Sequence, residues 1–356
     1  MTFRILVINP GSTSTKVAVF DDETPLFVSS LCHPAGELAR FARVSDQYGM
    51  RRDAVLSFLE EKGIPLASLS AVVGRGGILR PLASGTYLVN ERMLGDLRRP
   101  DNLDHASNLG AQIAAELAAA AGAPAFIVDP VAVDELDDVA RITGLPEISR
   151  SSLSHALNIK ATARRAAADL GARYEELNLI VAHLGGGISV TAHRRGRMVD
   201  VNNAADAGPF APERTGTLPL NPFIDLCFSG RYSADQLKRL VLGGGGLVAH
   251  FGTNSTQEIE RLIANGNERA RLVYEAMAYN IAKEIGAMAT VLKGTVDAIV
   301  LTGGVARSEM LVGWVRERVE FIARVVVYPG EDEMLALAQG ALRVLSGEEE
   351  AKEYGG

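Results

Sequence analysis

Residues 5–23, ILVINPGSTSTKVAVFDDE, carry an apolar strand into Asn-Pro-Gly, then a run of hydroxyl side chains, then a second apolar strand. A buried strand that ends on glycine and hydroxyls sets backbone N–H and O–H donors at one edge of a sheet. That edge suits phosphate oxygens, because glycine lets the backbone approach closely. The plan recurs at residues 179–193, LIVAHLGGGISVTAH. Setting Asn9 against His183 brings Gly11 onto Gly185, Ser14 onto Ile188 and Thr15 onto Ser189. The echo predicts two domains of similar plan, each offering a glycine turn to a shared cleft. A third turn, TGGVAR at 302–307, follows an apolar strand and precedes a helical stretch. Ligands of α/β folds bind beyond such strand ends. Neither a GxxxxGK[ST] loop nor a GxGxxG after a strand is present, so the turns belong to neither common nucleotide fingerprint.

The rest of the chain sets limits. At 356 residues two domains are expected, and 47% hydrophobic residues with 36 glycines suit a packed α/β protein. A net charge of −7 argues against nucleic acid, which needs clustered Lys and Arg. The basic run HRRGR at 193–197 reads as a solvated turn. Cys32 and Cys227 stand alone, without metal-ligand or CxxC spacing, as in a reducing cytoplasm. The N-terminal ILVI is too short for a signal peptide, and Gln112, Glu116, Gly122 and Pro124 interrupt the apolar run 111–128. No membrane partner is expected.

Apolar spacing alternates between strand and helix. Helices are expected over 53–63, 105–122, 154–171, 232–242, 256–293 and 333–347. Strands are expected in RILVI, KVAVF, LSAVV, PAFIVD, the three segments of 178–204, VDAIVL and RVVVYPG. The tetraglycine 243–246 lies between helices, as a linker or a surface facing nucleotide.

NPGSTSTKVAVFD, HASNLGA, VDPVAVDEL, VAHLGGGISV, GPFAPERTGTLPL and VLTGGVAR, in this order from the first strand onward, resemble the butyrate kinases of the acetate kinase branch of actin-like ATPases. The resemblance implies an α/β fold of two duplicated ribonuclease-H-like domains with an interdomain active-site cleft. It implies domain I over 1–130 plus the returning 331–356, and domain II, which binds nucleotide, over 131–330. It also implies reversible transfer from ATP to a short-chain carboxylic acid, giving acyl phosphate and ADP with Mg²⁺, in a homo-oligomer.

Residue by residue, the resemblance makes Arg214 the catalytic arginine, with His183 and Asn9 meeting the transferring phosphoryl group. Arg214 read alone could equally be a turn residue paired with Glu213. Ser12 and Ser14, Gly185, Gly186 and Gly187, and Gly303 and Gly304 are expected to receive ATP. Asp129 and Glu333 match the Mg²⁺-linked carboxylates, although Glu331 and Asp332 leave the register of the second open. His105 resembles a second cleft histidine or caps a helix. Acetate kinases carry HRVVHGG where this chain has AVVGRGG at 71–77, so Arg75 is expected to bind substrate from a shifted place or to brace its loop. Ala182 stands where acetate kinases have a bulky aromatic, and Gly74 where they have valine. With Pro212, these predict a roomier acyl pocket and hence butyrate or a branched C4–C5 acid, each extra buried CH₂ contributing about 0.8 kcal/mol. The rivals are an acetate or propionate kinase, an actin-like assembly ATPase, and a sensor of acyl phosphate.

Overall fold

The computed structural model describes residues 2–99, 101 and 104–355. The chain divides into two compact units, one running to Val133 and resuming at Asp332, the other spanning Asp134–Glu331.

The first unit opens with β1 (Arg4–Pro10) and β2 (Ser14–Asp21), an antiparallel hairpin, followed by β3 (Thr24–Cys32) on its outer side. Parallel pairing then adds β4 (Ala71–Gly74) to β1 and β6 (Ala125–Val128) to β4, while β5 (Thr86–Leu88) lies antiparallel on β6. The second unit repeats this order. A meander of β7 (Asn178–Leu184), β8 (Ile188–Arg194) and β9 (Arg197–Val201) is extended by β10 (Ala298–Gly303), parallel to β7. β11 (Val325–Pro329) lies parallel to β10. The chain then returns to the first unit, where β12 (Lys352–Glu353) pairs with β5.

Without β5 and β12, the orders β6-β4-β1-β2-β3 and β11-β10-β7-β8-β9 are one topology with the same strand directions. The internal echo is therefore a repeated sheet. Its turns differ by one residue: Pro10 pairs with Thr15, whereas Leu184 pairs with Ile188.

Period-two alternation divides each sheet between two faces. Leu6, Ile8, Val17 and Val19 pack under Val55, Phe58 and Leu59 of the helix Tyr48–Glu61 and Ile113 and Leu117 of the helix Asn108–Ala121. The helix Glu333–Leu345 contacts β1, β4 and β6. In the second unit Ile180, Ala182 and Leu184 join Met277, Ile281 and Ile285 of the long helix Glu268–Val291. The helix Ala156–Asp169 contacts β7 and β10. The helix Ala156–Asp169, which precedes β7, thus serves the second sheet, and the helix after β11 serves the first.

Helix boundaries follow local chemistry. The expected 256–293 block is two helices, because Gly266 turns at φ +83° and Asn267 accepts from Ala270 N to start the second. β3 escaped the sequence reading because its side chains alternate only between exposed and half-buried. The helices Glu91–Arg98, Leu220–Phe228 and Gly246–Phe251 also appear beyond expectation. Among the described residues no helix is long and apolar enough to cross a membrane.

Buried histidines give the fold a pH signature. His193 is fully buried, with Nδ1 on the Tyr174 hydroxyl and Nε2 2.7 Å from Thr191 Oγ1. Burial first, then the charges of Lys160 and Arg164, hold its pKa well below the ordinary value. His33, also buried, is lowered too, chiefly by burial and then by the charge of Arg51. Such groups take up protons on unfolding, so their contribution is full above the unfolded pKa of about 6.5 and is lost as pH falls through it. The urea midpoint is expected to be flat from pH 8 to 7 and to drop between 6.5 and 5. A midpoint unchanged at pH 5.5 would contradict this.

Candidate functional site

Two groups of chemically capable side chains emerge, one in each unit. In the second, β7 delivers His183 and the triple glycine turn. His183 is 1% exposed and faces away from the core that takes Ile180, Ala182 and Leu184. Its ring stacks on His155, centroids 3.9 Å apart and 10° from parallel. His183 Nδ1 lies 2.7 Å from Asn158 Oδ1, and Nε2 lies 3.2 Å from Glu331 Oε1. His155 Nδ1 is 3.0 Å from Ser189 Oγ on β8. Sequence reasoning missed His155 and Asn158, and it met Glu331 only as an alternative register for Glu333. The signal was the i, i+3 spacing of His155 and Asn158, which sets both on one side of a helix start.

Arg214 lies flat against the third glycine of the turn. A Cβ built on Gly187 would sit 2.4 Å from Arg214 Cζ, so glycine is what lets the guanidinium rest there. Arg214 Nη1 donates to Ala204 O at 2.8 Å. Among the described residues no carboxylate forms an ion pair with it. Glu213 instead accepts from Asn254 Nδ2, and its backbone N–H donates to Gly186 O at 3.2 Å. The paired-turn reading of Arg214 is therefore excluded. Burial lowers the guanidinium pKa, opposed by the charge of Glu213, and the group stays cationic at neutral pH.

The tetraglycine explains how this loop is held. Gly246, at φ +60°, would place a Cβ 1.6 Å from Ala211 O, and one on Gly245 would lie 2.5 Å from Thr215 N. Val248 N donates to Pro212 O and Gly243 N to Glu213 O, at 3.0 and 2.8 Å. The glycines are a packing bed under residues 211–215, not a flexible linker. Pro212 is buried in this loop, two residues from Arg214.

Gly303 ends β10 at φ +90°, where a Cβ would meet Leu184 O at 2.3 Å, and it pairs with Gly330. Around Gly304 there is open space. Of the first triple glycine, Gly185 and Gly187 are buried and Gly186 is exposed.

In the first unit Asn9, Arg75 and Glu333 converge. Asn9 Nδ2 donates to Glu333 Oε2 at 2.8 Å, and Arg75 Nη1 lies 3.1 Å from Glu333 Oε1. Glu333 is the first residue of its helix, behind Asp332, whose side chain accepts from Leu335 N. Arg75 thus braces a carboxylate of its own unit. Asp129 is buried at φ +37°, and its Oδ1 accepts from Ser84 Oγ at 2.6 Å and Gly85 N at 2.8 Å. His105 Nδ1 lies 2.8 Å from Ser107 Oγ and accepts from Ser107 N, the bonding of a local turn before the helix Asn108–Ala121. Ser12 is exposed and Ser14 half-buried in the hydroxyl turn.

Two expectations about the acyl pocket fail. Ala182 is fully buried in the hydrophobic core of the second unit, on the face of β7 opposite His183. A larger residue there would crowd the core and not a pocket. Gly74 faces Gly110 of the crossing helix, where a Cβ would lie 2.3 Å from Gly110 O. Its missing side chain is filled by helix backbone.

Comparison with known proteins agrees with the repeated sheets. A Porphyromonas gingivalis acetate kinase structure, 20% identical, aligns with 96% of this chain and 100% of its own at a TM-score of 0.77. A propionate kinase from Francisella tularensis subsp. tularensis SCHU S4, also 20% identical, covers 95% and 98% at 0.75. Acetate kinase from Entamoeba histolytica, at 16% identity, likewise covers 95% and 98% at 0.75. At these identities the likeness establishes the α/β fold of two related sheets. The sequence profile of the acetokinase family matches residues 151–329, which include the stacked histidines, the triple glycine, Arg214 and Gly303. On that match over half of its length, the chain belongs to the acetokinase family.

Proposed function

We propose that this protein transfers the terminal phosphoryl group of ATP to the carboxylate of a short-chain fatty acid, reversibly giving an acyl phosphate and ADP, with butyrate or a branched C4–C5 acid preferred. The observation that carries the proposal is Arg214, a guanidinium without a carboxylate partner among the described residues, held against the glycine turn that follows His183. A carboxylic acid with a pKa of about 4 to 5 is already ionised near neutrality and needs no general base. The barrier lies in bringing one anion onto another, so oriented cations and hydrogen-bond donors supply the catalysis.

Arg214 holds a carboxylate and a phosphoryl oxygen through its planar fork. His183 Nδ1–H donates to Asn158 Oδ1, so Nε2, which lies 3.2 Å from Glu331 Oε1, donates to the phosphoryl group only when the ring carries both protons. Asn9 adds a neutral donor, which Glu333 orients at 2.8 Å. The hydroxyl turn and Gly304 offer donors and open backbone to the nucleotide.

Mg²⁺ suits these residues only as an ion brought with the nucleotide. Glu333 already accepts from Asn9 and forms an ion pair with Arg75, Asp129 Oδ1 already receives two donors, and among the described residues no three acidic, His or Cys side chains could hold a metal. Mg²⁺ keeps most of its waters and binds substrate phosphate, so Asp129 and Glu333 would hold it through those waters. The ion would offset phosphate charge.

The preference for C4–C5 acids rests on the ordered sequence motifs and on Pro212 beside Arg214. Acetate or propionate is the second reading, favoured by the burial of Ala182 in the core and the closure of Gly74 against Gly110. Acyl phosphate trapped as hydroxamate, with ATP and Mg²⁺ across unbranched and branched C2–C5 acids, decides between them. A maximum at C4 or C5 is expected, whereas a maximum at acetate selects the second reading. Folded, nucleotide-binding protein that makes no acid-dependent product would overturn both and favour an assembly ATPase.

A further inference from the structure

Arg51 is fully buried in the first turns of the helix Tyr48–Glu61, yet among the described residues no carboxylate pairs with it. Nη1 donates to Ser14 O at 3.0 Å and Thr15 Oγ1 at 3.1 Å, and Nη2 donates to Ser12 O at 3.2 Å. Nε and Nη2 both reach Gln47 Oε1, at 3.1 and 2.9 Å. Thr15 Oγ1 also meets His33 Nε2 at 2.9 Å. Among the described residues every acceptor that Arg51 meets is neutral.

The placement is costly in two ways. A buried ion without a counter-ion loses its hydration uncompensated, and an apolar side chain of similar volume would serve packing better. A cation near a helix N-terminus also opposes the helix dipole. Arg51 nevertheless shares the buried stripe of its helix with Val55, Phe58 and Leu59.

What the arginine does to the turn follows from peptide planarity. In a trans peptide the carbonyl of one residue and the N–H of the next point in opposite directions. Drawing Ser12 O inward onto Arg51 therefore turns the Thr13 N–H outward. Thr13 is exposed, and that N–H has no protein partner among the described residues. The charge behind the turn and the donor in front of it both favour an anion at the same place.

We propose that Arg51 is a positioning residue for the phosphate end of the nucleotide, a buried cation that sets the Ser12–Thr15 turn and whose charge is balanced only when phosphate oxygens bind in front of it. The inference rests on the reading of this turn as a phosphate site. It adds to that reading a residue that touches no ligand and acts through charge.

Calorimetric titration of Arg51→Gln and Arg51→Lys with ATP and with adenosine tests it. Arg51→Gln is expected to weaken ATP by about tenfold or more and to leave adenosine within twofold. Arg51→Lys keeps the charge and is expected to stay within about threefold of the parent at pH 7. A buried lysine has a depressed pKa, so its ATP affinity should then fall as pH rises from 7 to 9, while the parent's does not. This pH readout needs only the gentler variant, should Arg51→Gln fail to fold.

Equal weakening of ATP and adenosine, or an Arg51→Lys loss that is the same at every pH, would overturn the proposal in favour of a purely architectural arginine. If the parent protein binds ATP no better than adenosine, the turn is not a phosphate site and Arg51 falls with it. If instead Arg51 controls that margin but no acid is phosphorylated, only the carboxylate assignment fails.

Discussion

Arg214→Ala is expected to lower turnover in acyl phosphate synthesis by about 10³-fold or more, the scale on which arginines act at transferring phosphoryl groups. The fold should survive, because among the described residues the side chain makes one hydrogen bond, to Ala204 O, and no ion pair. Circular dichroism and a melting temperature within a few degrees of the parent would establish that. The loss should fall mainly on kcat, since the charge that Arg214 meets is greatest while the phosphoryl group is in transit. Arg214→Lys should recover little. An ammonium restores the charge but not the flat fork that rests on Gly187 and spans two anionic groups. Glu213→Gln separates the neighbours: its carboxylate serves Asn254, so turnover should change far less. A kcat for Arg214→Ala within tenfold of the parent would remove this residue from the chemistry.

The sequence reached the architecture through repetition. Asn9 and His183 end equivalent strands of equivalent sheets, a relation visible in spacing because strand, glycine turn and strand are all local. What stayed hidden depends on direction. Ala182 adjoins His183 in the chain, but successive strand residues face opposite sides, so a neighbour of a site residue is by default core. Gly74 read as missing bulk, because a sequence does not say which backbone crosses above a glycine, and here it is Gly110. The tetraglycine misled in the same manner.

Arg51, by contrast, is legible in the sequence. It stands four, seven and eight residues before Val55, Phe58 and Leu59, the helical spacing of one buried stripe. An arginine in such a stripe signals an unusual buried charge. That His155 and Glu331 meet at His183 was not legible, because both reach it from segments distant in sequence.

Gly187→Ala isolates the position of Arg214 from its presence. The substitution adds one methyl group, 2.4 Å from Arg214 Cζ and 2.5 Å from Nη1. Gly187 does not occupy the left-handed region, so alanine meets no backbone strain there. The obstacle is the far end of a flexible side chain, which can move by about 1 Å at little cost to the fold. Melting temperature should stay within a few degrees, while kcat/KM falls on the order of 10²-fold, the usual penalty for misplacing a catalytic group by that distance. Gly303→Ala is the opposite case. Its Cβ would lie 2.3 Å from Leu184 O at φ +90°, so backbone must yield, and the fold should lose about 2–4 kcal/mol. The double variant Gly187→Ala, Arg214→Ala completes the cycle. If the methyl group acts only by displacing the guanidinium, the pair is no slower than Arg214→Ala alone, because nothing remains to displace. If the two losses multiply, Gly187 contributes on its own account, through backbone that a phosphate must approach.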